Sequence, residues 1–337
     1  MPPLPFMHDS QPPPRRPAVR LLAPSVDAGE LGSRLESLRI ERVAAPGRSR
    51  ARLRLSAAGD SPVPGIGDRV QVSLGYAGQL SAVFSGRVVA EQRHAGRHRD
   101  LLLGGADEAL DGRYLNQSYR EQNFSDLLQQ WVAEAGVVPG TLERGADYPF
   151  LAIDDRRSLW AWAATLATDA GLLVTADAED RLQARQPEPR SSHELHWGEQ
   201  LLACNHSRRE AALDSVTLHG EGAAGSQGAG AWSWLTSDPA PLEGSAGNGP
   251  RRRSFSDGRW RSRAVVQGAA DARAARLQRA AGRVRARVTG IATLAIGQRV
   301  SLGGLPGGHG DGEYLLTRVR HRYDATGFTS EIEGSAA

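Results

Sequence analysis

The sequence predicts an α+β, β-rich fold: two related tube-like β-barrel domains with an α/β insert between them. Three observations carry this. Apolar and polar residues alternate with period two in several segments near both ends, two amphipathic helical stripes lie in the middle, and a short motif occurs twice.

Residues 1–17 are proline-rich and read as an extended tail. In 50–57, Ala51, Leu53, Leu55 and Ala57 face one side of a strand while Arg50, Arg52, Arg54 and Ser56 face the other. Segment 68–76 repeats that logic with Val70, Val72, Leu74 and Tyr76 inward, and further strands are expected at 82–92 and near 99–103. The period then changes. Phe124, Leu127, Leu128, Trp131, Val132 and Ala135 form one face of a helix over 123–136, with Asn123 or Ser125 as its cap and Gly136 at its end. A second helix fits 156–170, with Leu159, Trp162, Ala163, Leu166 and Ala170 on one stripe, Asp154 or Asp155 at its start and Gly171 at its end. A strand, an acidic turn and a strand complete the insert over 171–185. Strands resume at 194–204 and 214–220, an Ala/Arg-rich helix is expected at about 269–282, and 313–323 with 328–333 form a hairpin across a D-A-T-G turn.

The repeat is the most informative feature. Ile66-Gly67-Asp68-Arg69-Val70 and Ile296-Gly297-Gln298-Arg299-Val300 share an I-G-x-R-V core, each followed by a strand, a glycine and a second strand (84–94 and 314–323). Glycine at 67 and 297 would supply backbone freedom at the turn into the strand. The expected organisation is a tail (1–17), a first tube-like barrel (18–105), an α/β insert (106–190), connecting strands (191–222), a flexible Gly/Ser/Pro-rich loop (223–262) and a second tube-like barrel (263–337).

Composition narrows the class. Every one of the 41 basic residues is Arg, 38 acidic residues nearly balance them, and the net charge is +3. A dedicated nucleic-acid binder gathers a larger surplus on one patch. The lone Cys204 excludes an intrachain disulfide and reads as an inert, partly buried thiol. No apolar run has the ~20 residues of a membrane span, and the N-terminus lacks the apolar core of a signal peptide.

Segments 66–89, 123–137, 157–174, 195–202, 215–220 and 295–321 occur here in an order that resembles the phage late-control D and baseplate-hub proteins, and the N-terminal half of VgrG spike proteins. The resemblance implies a homotrimer in which two barrels per subunit make a sixfold-like ring, adapting a sixfold tail tube to a threefold spike. It implies as partners the tail tube protein, other baseplate subunits and, since the chain stops at Ala337 where VgrG proteins continue into a needle, a separate spike protein. It also implies assembly in the cytoplasm followed by residence in the baseplate of the contractile particle, with no enzymatic activity, no cofactor and no membrane. Alternatives are a cell-wall hydrolase of the same machine and a nucleic-acid-binding regulator.

Side-chain clusters add no catalytic, cofactor or metal assignment. His193, Glu194 and His196 lack H-E-x-x-H spacing, and on a strand they would point apart. Asp154-Asp155 reads as a helix start and Glu179-Asp180 as a hairpin turn. The glycines between 303 and 312 link two strands without the Lys and helix of a phosphate cradle. Arg50/52/54, Arg283/285/287 and Arg318/320/322 form three ladders that are either solvated strand faces or an arginine-lined surface, facing the lumen or pairing with acidic partner subunits. Arg251-Arg252-Arg253 near Trp260 suggests an arm that orders on a neighbouring subunit, with single-stranded nucleic acid as the weaker alternative.

Overall fold

The computed structural model describes residues 16–56, 62–95, 97–220 and 242–337. The expected proline-rich tail, apart from its last two residues, and most of the expected loop lie outside them. The first six-stranded unit comprises β1 (Pro17–Leu22), helix α1 (Ala28–Ser33), β2 (Leu35–Val43), β3 (Arg50–Ser56), β4 (Arg69–Tyr76), β5 (Gln79–His94) and β6 (His98–Gly104). Its strands run in the order β1-β4-β5-β6-β3-β2, every pair antiparallel. The period-two residues fill its core as expected: Ala51, Leu53, Leu55, Val70, Val72 and Leu74 are all buried.

The insert follows with α2 (Ala106–Asp111), β7 (Gln117–Asn123), α3 (Phe124–Glu134), β8 (Val138–Leu142), β9 (Asp147–Ile153), α4 (Leu159–Asp169), β10 (Leu173–Ala176) and β11 (Arg181–Arg185). Asn123 caps α3 by accepting the Asp126 N–H at 3.1 Å, and Phe124, Leu127, Leu128, Trp131 and Val132 are buried. Helix α4 begins later than expected. Ser158, not Asp154 or Asp155, is its cap, because its hydroxyl reaches the Ala161 N–H at 3.2 Å while Asp154 pairs with Arg156 at 2.9 Å.

The remaining elements are β12 (Ser191–His196), β13 (Leu201–Arg208), β14 (Ser215–Gly220), β15 (Glu243–Gly247), β16 (Arg252–Asp257), α5 (Arg263–Arg279), β17 (Gly282–Thr289), β18 (Arg299–Gly303), β19 (Gly312–Asp324) and β20 (Gly327–Ala336). Three expectations change here. The strand expected at 194–204 is two strands, broken by a turn in which Gly198 has φ +83°. Part of the expected loop is sheet: β15 and β16 flank β14, whose Ser215–Leu218 segment is buried. Gly244 allows this packing, since a Cβ there would sit 2.6 Å from the Val266 carbonyl oxygen of α5. Finally, α5 starts at Arg263, capped by Ser262, and its Val265, Val266, Ala269 and Ala270 join the core of the insert. A helix expected to belong with the second barrel therefore packs with α4.

The second unit takes β12, β13 and β17–β20 in the order β12-β18-β19-β20-β17-β13. Numbered by position within each unit, both units read 1-4-5-6-3-2. One pair differs: β1·β4 is antiparallel and β12·β18 is parallel. The repeat motif matches bond for bond. Gly67 (φ +94°) donates to the Val88 carbonyl at 2.8 Å, and Gly297 (φ +87°) donates to that of Leu316 at 3.0 Å. The Val88 N–H returns to Asp68 O at 2.9 Å, and the Leu316 N–H to Gln298 O at 2.8 Å. Asp68 and Gln298 each close the turn with a side-chain oxygen, on the N–H of Gly65 (2.9 Å) and Ala295 (2.8 Å). Register shifts recur as well, at Val88/Ala90 and Leu316/Arg318, and at Leu35/Ser37 and Leu201/Ala203.

Closed barrels were expected, but the strand pairing closes neither unit among the described residues. The free edge of β2 is taken by β19 of the other unit, so both units join one continuous sheet. Each six-stranded unit has an apolar core, and Phe328 of β20 is buried in that of the first unit. The insert is tied to the first unit by Trp160, fully buried in α4, whose indole N–H donates to the carbonyls of Pro46 (3.2 Å) and Gly47 (3.0 Å). Trp160→Ala should cost ~3–5 kcal/mol from lost burial and the cavity left behind. Trp160→Phe should cost less, since only the indole bonds are lost. Urea unfolding midpoints of both variants measure the difference.

Candidate assembly surface

The β2·β19 junction is where one repeat meets the other. Val43 to Ser37 run antiparallel to Arg318 to Asp324. On one face the strands exchange ion pairs: Glu41 contacts Arg318 (3.2 Å) and Arg320 (2.9 Å), and Glu333 contacts the same two arginines at 3.1 and 3.4 Å. Arg285 adds a contact to Glu331 at 3.5 Å. Two of the three arginine ladders thus share the glutamates of β20. On the other face His321 is wholly buried, bonded to the Ser330 hydroxyl at 2.9 Å and tilted against Phe328 at 5.8 Å. Arg42, also buried, donates to the Ala176 carbonyl of the insert at 2.9 Å. Burial, with Arg42 nearby, pushes the His321 pKa down to about 3.

The repeat gives this junction an open counterpart. Arg50 and Arg87 both lie opposite Gly104, as Arg283 and Leu315 both lie opposite Ser335, so the first two ladders occupy matching positions. By the same register, β13 matches β2, and β5 beyond its bulge matches the half of β19 that binds β2. Among the described residues, β13 pairs with β17 along one edge and has only the Trp197–Leu201 bridge beside it on the other. The stretch Ala90–His94 of β5 pairs with β6 alone. Val89, Trp197 and Leu202 beside these edges are about two-fifths exposed, at 39%, 41% and 43%. Val89 matches Thr317, whose carbonyl accepts the Ala44 N–H at 3.1 Å within the built junction.

The remaining singled-out residues do not converge on a reaction centre. His193, Glu194 and His196 lie on β12, with Leu195 alone among their neighbours buried. Cys204 is half-buried on β13, and burial pushes its thiol pKa up. Arg251 pairs with Asp214 (2.6 Å) and Glu210 (2.9 Å), and Trp260 is buried with its indole N–H on Asp169 at 3.1 Å, so neither presents itself for base stacking. Asp180 does have a perturbed carboxyl, raised to about 7 by burial, and Asp107 of α2 is raised to about 6 by burial. They serve the backbone: Asp180 accepts the Ala106 N–H at 2.6 Å and Asp107 the Ser49 and Glu108 N–H groups. A cleft of about 710 Å³ lies between the insert and the second unit and is lined by Arg276, Arg279, Arg283, Arg285 and Arg318, with Glu333 its carboxylate. What sequence reasoning missed is the pair of open edges; their signal was the repeat itself, read past its turn into the strands on either side.

No protein-family profile matches the chain, and no curated protein does. Solved structures do match. A 43 kDa tail protein of prophage MuSo2 from Shewanella oneidensis superposes with a TM-score of 0.70 at 14% identity, covering 95% of this chain and 98% of the other. A tail protein from Neisseria meningitidis MC58 gives 0.70 at 13% identity, covering 95% and 96%. The chain shares the fold of these tail proteins. A component of the Escherichia coli type VI secretion system, itself described as similar to tail proteins of bacteriophage T4, gives 0.59 at 10% identity over 96% of this chain and 77% of that one.

The buried junction is expected to be acid-sensitive. An unfolded chain protonates histidine near pH 6.5, roughly, whereas folded His321 stays neutral to about pH 3. The folded pKa is depressed, so the unfolded state binds the extra proton, and this stability, fully present above about pH 6.5, is lost as pH falls towards 3. His321→Asn keeps a polar partner for Ser330 and removes the titration. Urea midpoints at about pH 7 and about pH 4.5 should show the wild type losing more stability than the variant.

Proposed function

We propose that this chain is a structural hub of a contractile phage tail or a phage-derived injection system, acting as a homotrimer that joins a sixfold tail tube to a threefold spike. Other baseplate subunits would surround it, and it would carry no catalytic activity. The fold shared with prophage tail proteins supports the tail setting. The observation that carries the assembly is the unequal use of two matching edges. Within the chain, β2 of the first unit fills the edge of β19 in the second. The matching strand β13 ends the sheet order and the matching edge of β5 lies near its other end, and within the chain the two do not pair. A second copy can pair them. Three copies would place six similar units in a closed ring, with junctions alternately inside and between chains, and would remove the exposed edges.

The register of this junction follows from β2·β19. Arg208 of one copy would face Glu91 of the next, Ser207 would face Gln92, and His206 would face Arg93. Arg208 and Glu91 carry opposite charge. Ser207 and Gln92 replace the Glu41–Arg320 ion pair of the in-chain junction with neutral hydrogen-bonding groups.

The test is a disulfide across the proposed edge. Glu41 and Arg320 lie opposite each other one residue from a hydrogen-bonded pair, the close-spaced position of an antiparallel ladder. In a Cys204→Ser background, Ser207→Cys combined with Gln92→Cys should oxidise to a covalent trimer on a non-reducing gel, and either cysteine alone should not. An oligomer that forms without cross-linking would refute the edges; a chain that stays monomeric beside its tube and spike proteins would refute the hub.

A further inference from the structure

At the tip of the β5–β6 hairpin, His94, His98 and Asp100 bring two imidazole nitrogens and a carboxylate oxygen within 4.8 Å of one another. Strand geometry puts them there. His94 is the cross-strand partner of His98, and Asp100, two residues further along β6, returns to the same face of the hairpin. The two rings lie 4.2 Å apart between centroids, tilted by 35°. Nε2 of His94 points to within 3.7 Å of the Asp100 Oδ2, is shielded from solvent, and has no hydrogen-bond partner among the described residues. Arg54 reaches the same carboxylate from β3, at 2.8 and 2.9 Å, and its hydrogen bond holds the Asp100 pKa below the usual carboxylate range. Each Asp100 oxygen keeps a second lone pair beside the one that accepts from Arg54.

We propose that His94, His98 and Asp100 form a binding site for a divalent transition-metal ion, with Zn²⁺ the best fit. Two imidazoles and one carboxylate make a borderline donor set that favours zinc, copper or nickel over magnesium or calcium, which prefer all-oxygen shells. Three protein ligands leave a fourth tetrahedral position for water. Bonds of about 2.0–2.2 Å place ligand atoms ~3.3–3.5 Å apart, so the two half-exposed imidazoles need to close on buried Asp100 by up to about 1.5 Å. Glu91 partly offsets the two nearby guanidinium groups, those of Arg93 (2.8 Å) and Arg99 (3.7 Å). Arg54 is then the main electrostatic opponent of a bound cation. An ion there would pin the hairpin that carries the open β5 edge, a site the sequence expectation of no metal ligands did not foresee.

The experiment uses the purified full-length chain, stripped with a chelator and titrated with Co²⁺ followed by displacement with Zn²⁺. One equivalent of Co²⁺ should give the visible absorption of a low-coordinate site, and Zn²⁺ should abolish it. His98→Ala should weaken binding by at least about tenfold, while His196→Ala, on a different strand, should leave it unchanged. Arg54→Gln should tighten binding several-fold by removing the competing charge, a gain that damage to the fold would not produce. A wild-type chain that takes up no metal, or that binds as tightly after His98→Ala with the circular dichroism unchanged, would overturn the site.

Discussion

An unpaired sheet edge is the constraint around which this chain is organised. A strand with one side hydrogen-bonded and the other open is a template for whatever chain next meets it. Here the chain holds two copies of a six-stranded unit, and each copy offers one outer strand and one long strand with spare edge. The junction of β2 with β19 uses half of those groups. Its cost in buried polarity is met in part: Glu41, Arg318, Arg320 and Glu333 pair on one face, while on the opposite face His321 shares one ring nitrogen with the Ser330 hydroxyl and buries the other without a partner among the described residues.

The insert depends on that arrangement rather than standing apart from it. Arg42 leaves the junction strand to reach the Ala176 carbonyl, and Trp160 reaches back to the loop between β2 and β3. Arg69, next to the repeat turn, holds Asp180 at 3.0 Å, and Asp180 in turn holds the start of α2. These contacts bind strand and insert through backbone groups, so the carboxyls with raised pKa values are structural acceptors, buried because the N–H groups they satisfy are buried.

Local patterns in the sequence were legible where one residue type decides the outcome. Apolar alternation in 50–55 and 70–74 located strands because a half-buried strand must alternate, and the stripe from Phe124 to Val132 located α3 for the equivalent reason at helical period. The I-G-x-R-V turn was legible because Gly67 and Gly297 both need positive φ. What was not legible depended on neighbours. Helix α5 has no clear apolar stripe, since Ala and Arg dominate it, so its start was placed six residues late. Strands β15 and β16 are Gly-, Ser- and Arg-rich, and only pairing with buried β14 makes them strands. Open edges cannot be read from composition at all, and the cluster of His94, His98 and Asp100 exists only once the hairpin register is known.

Amide hydrogen exchange in the assembled particle tests the account most directly. Residues 318–324 are already protected within one chain by β2. In the isolated chain, amides of 90–94 and 201–208 that point away from β6 and β17 should exchange fast; on assembly both segments should slow together, to rates comparable with 318–324. An assembled oligomer in which both segments exchange as fast as in the single chain would contradict it.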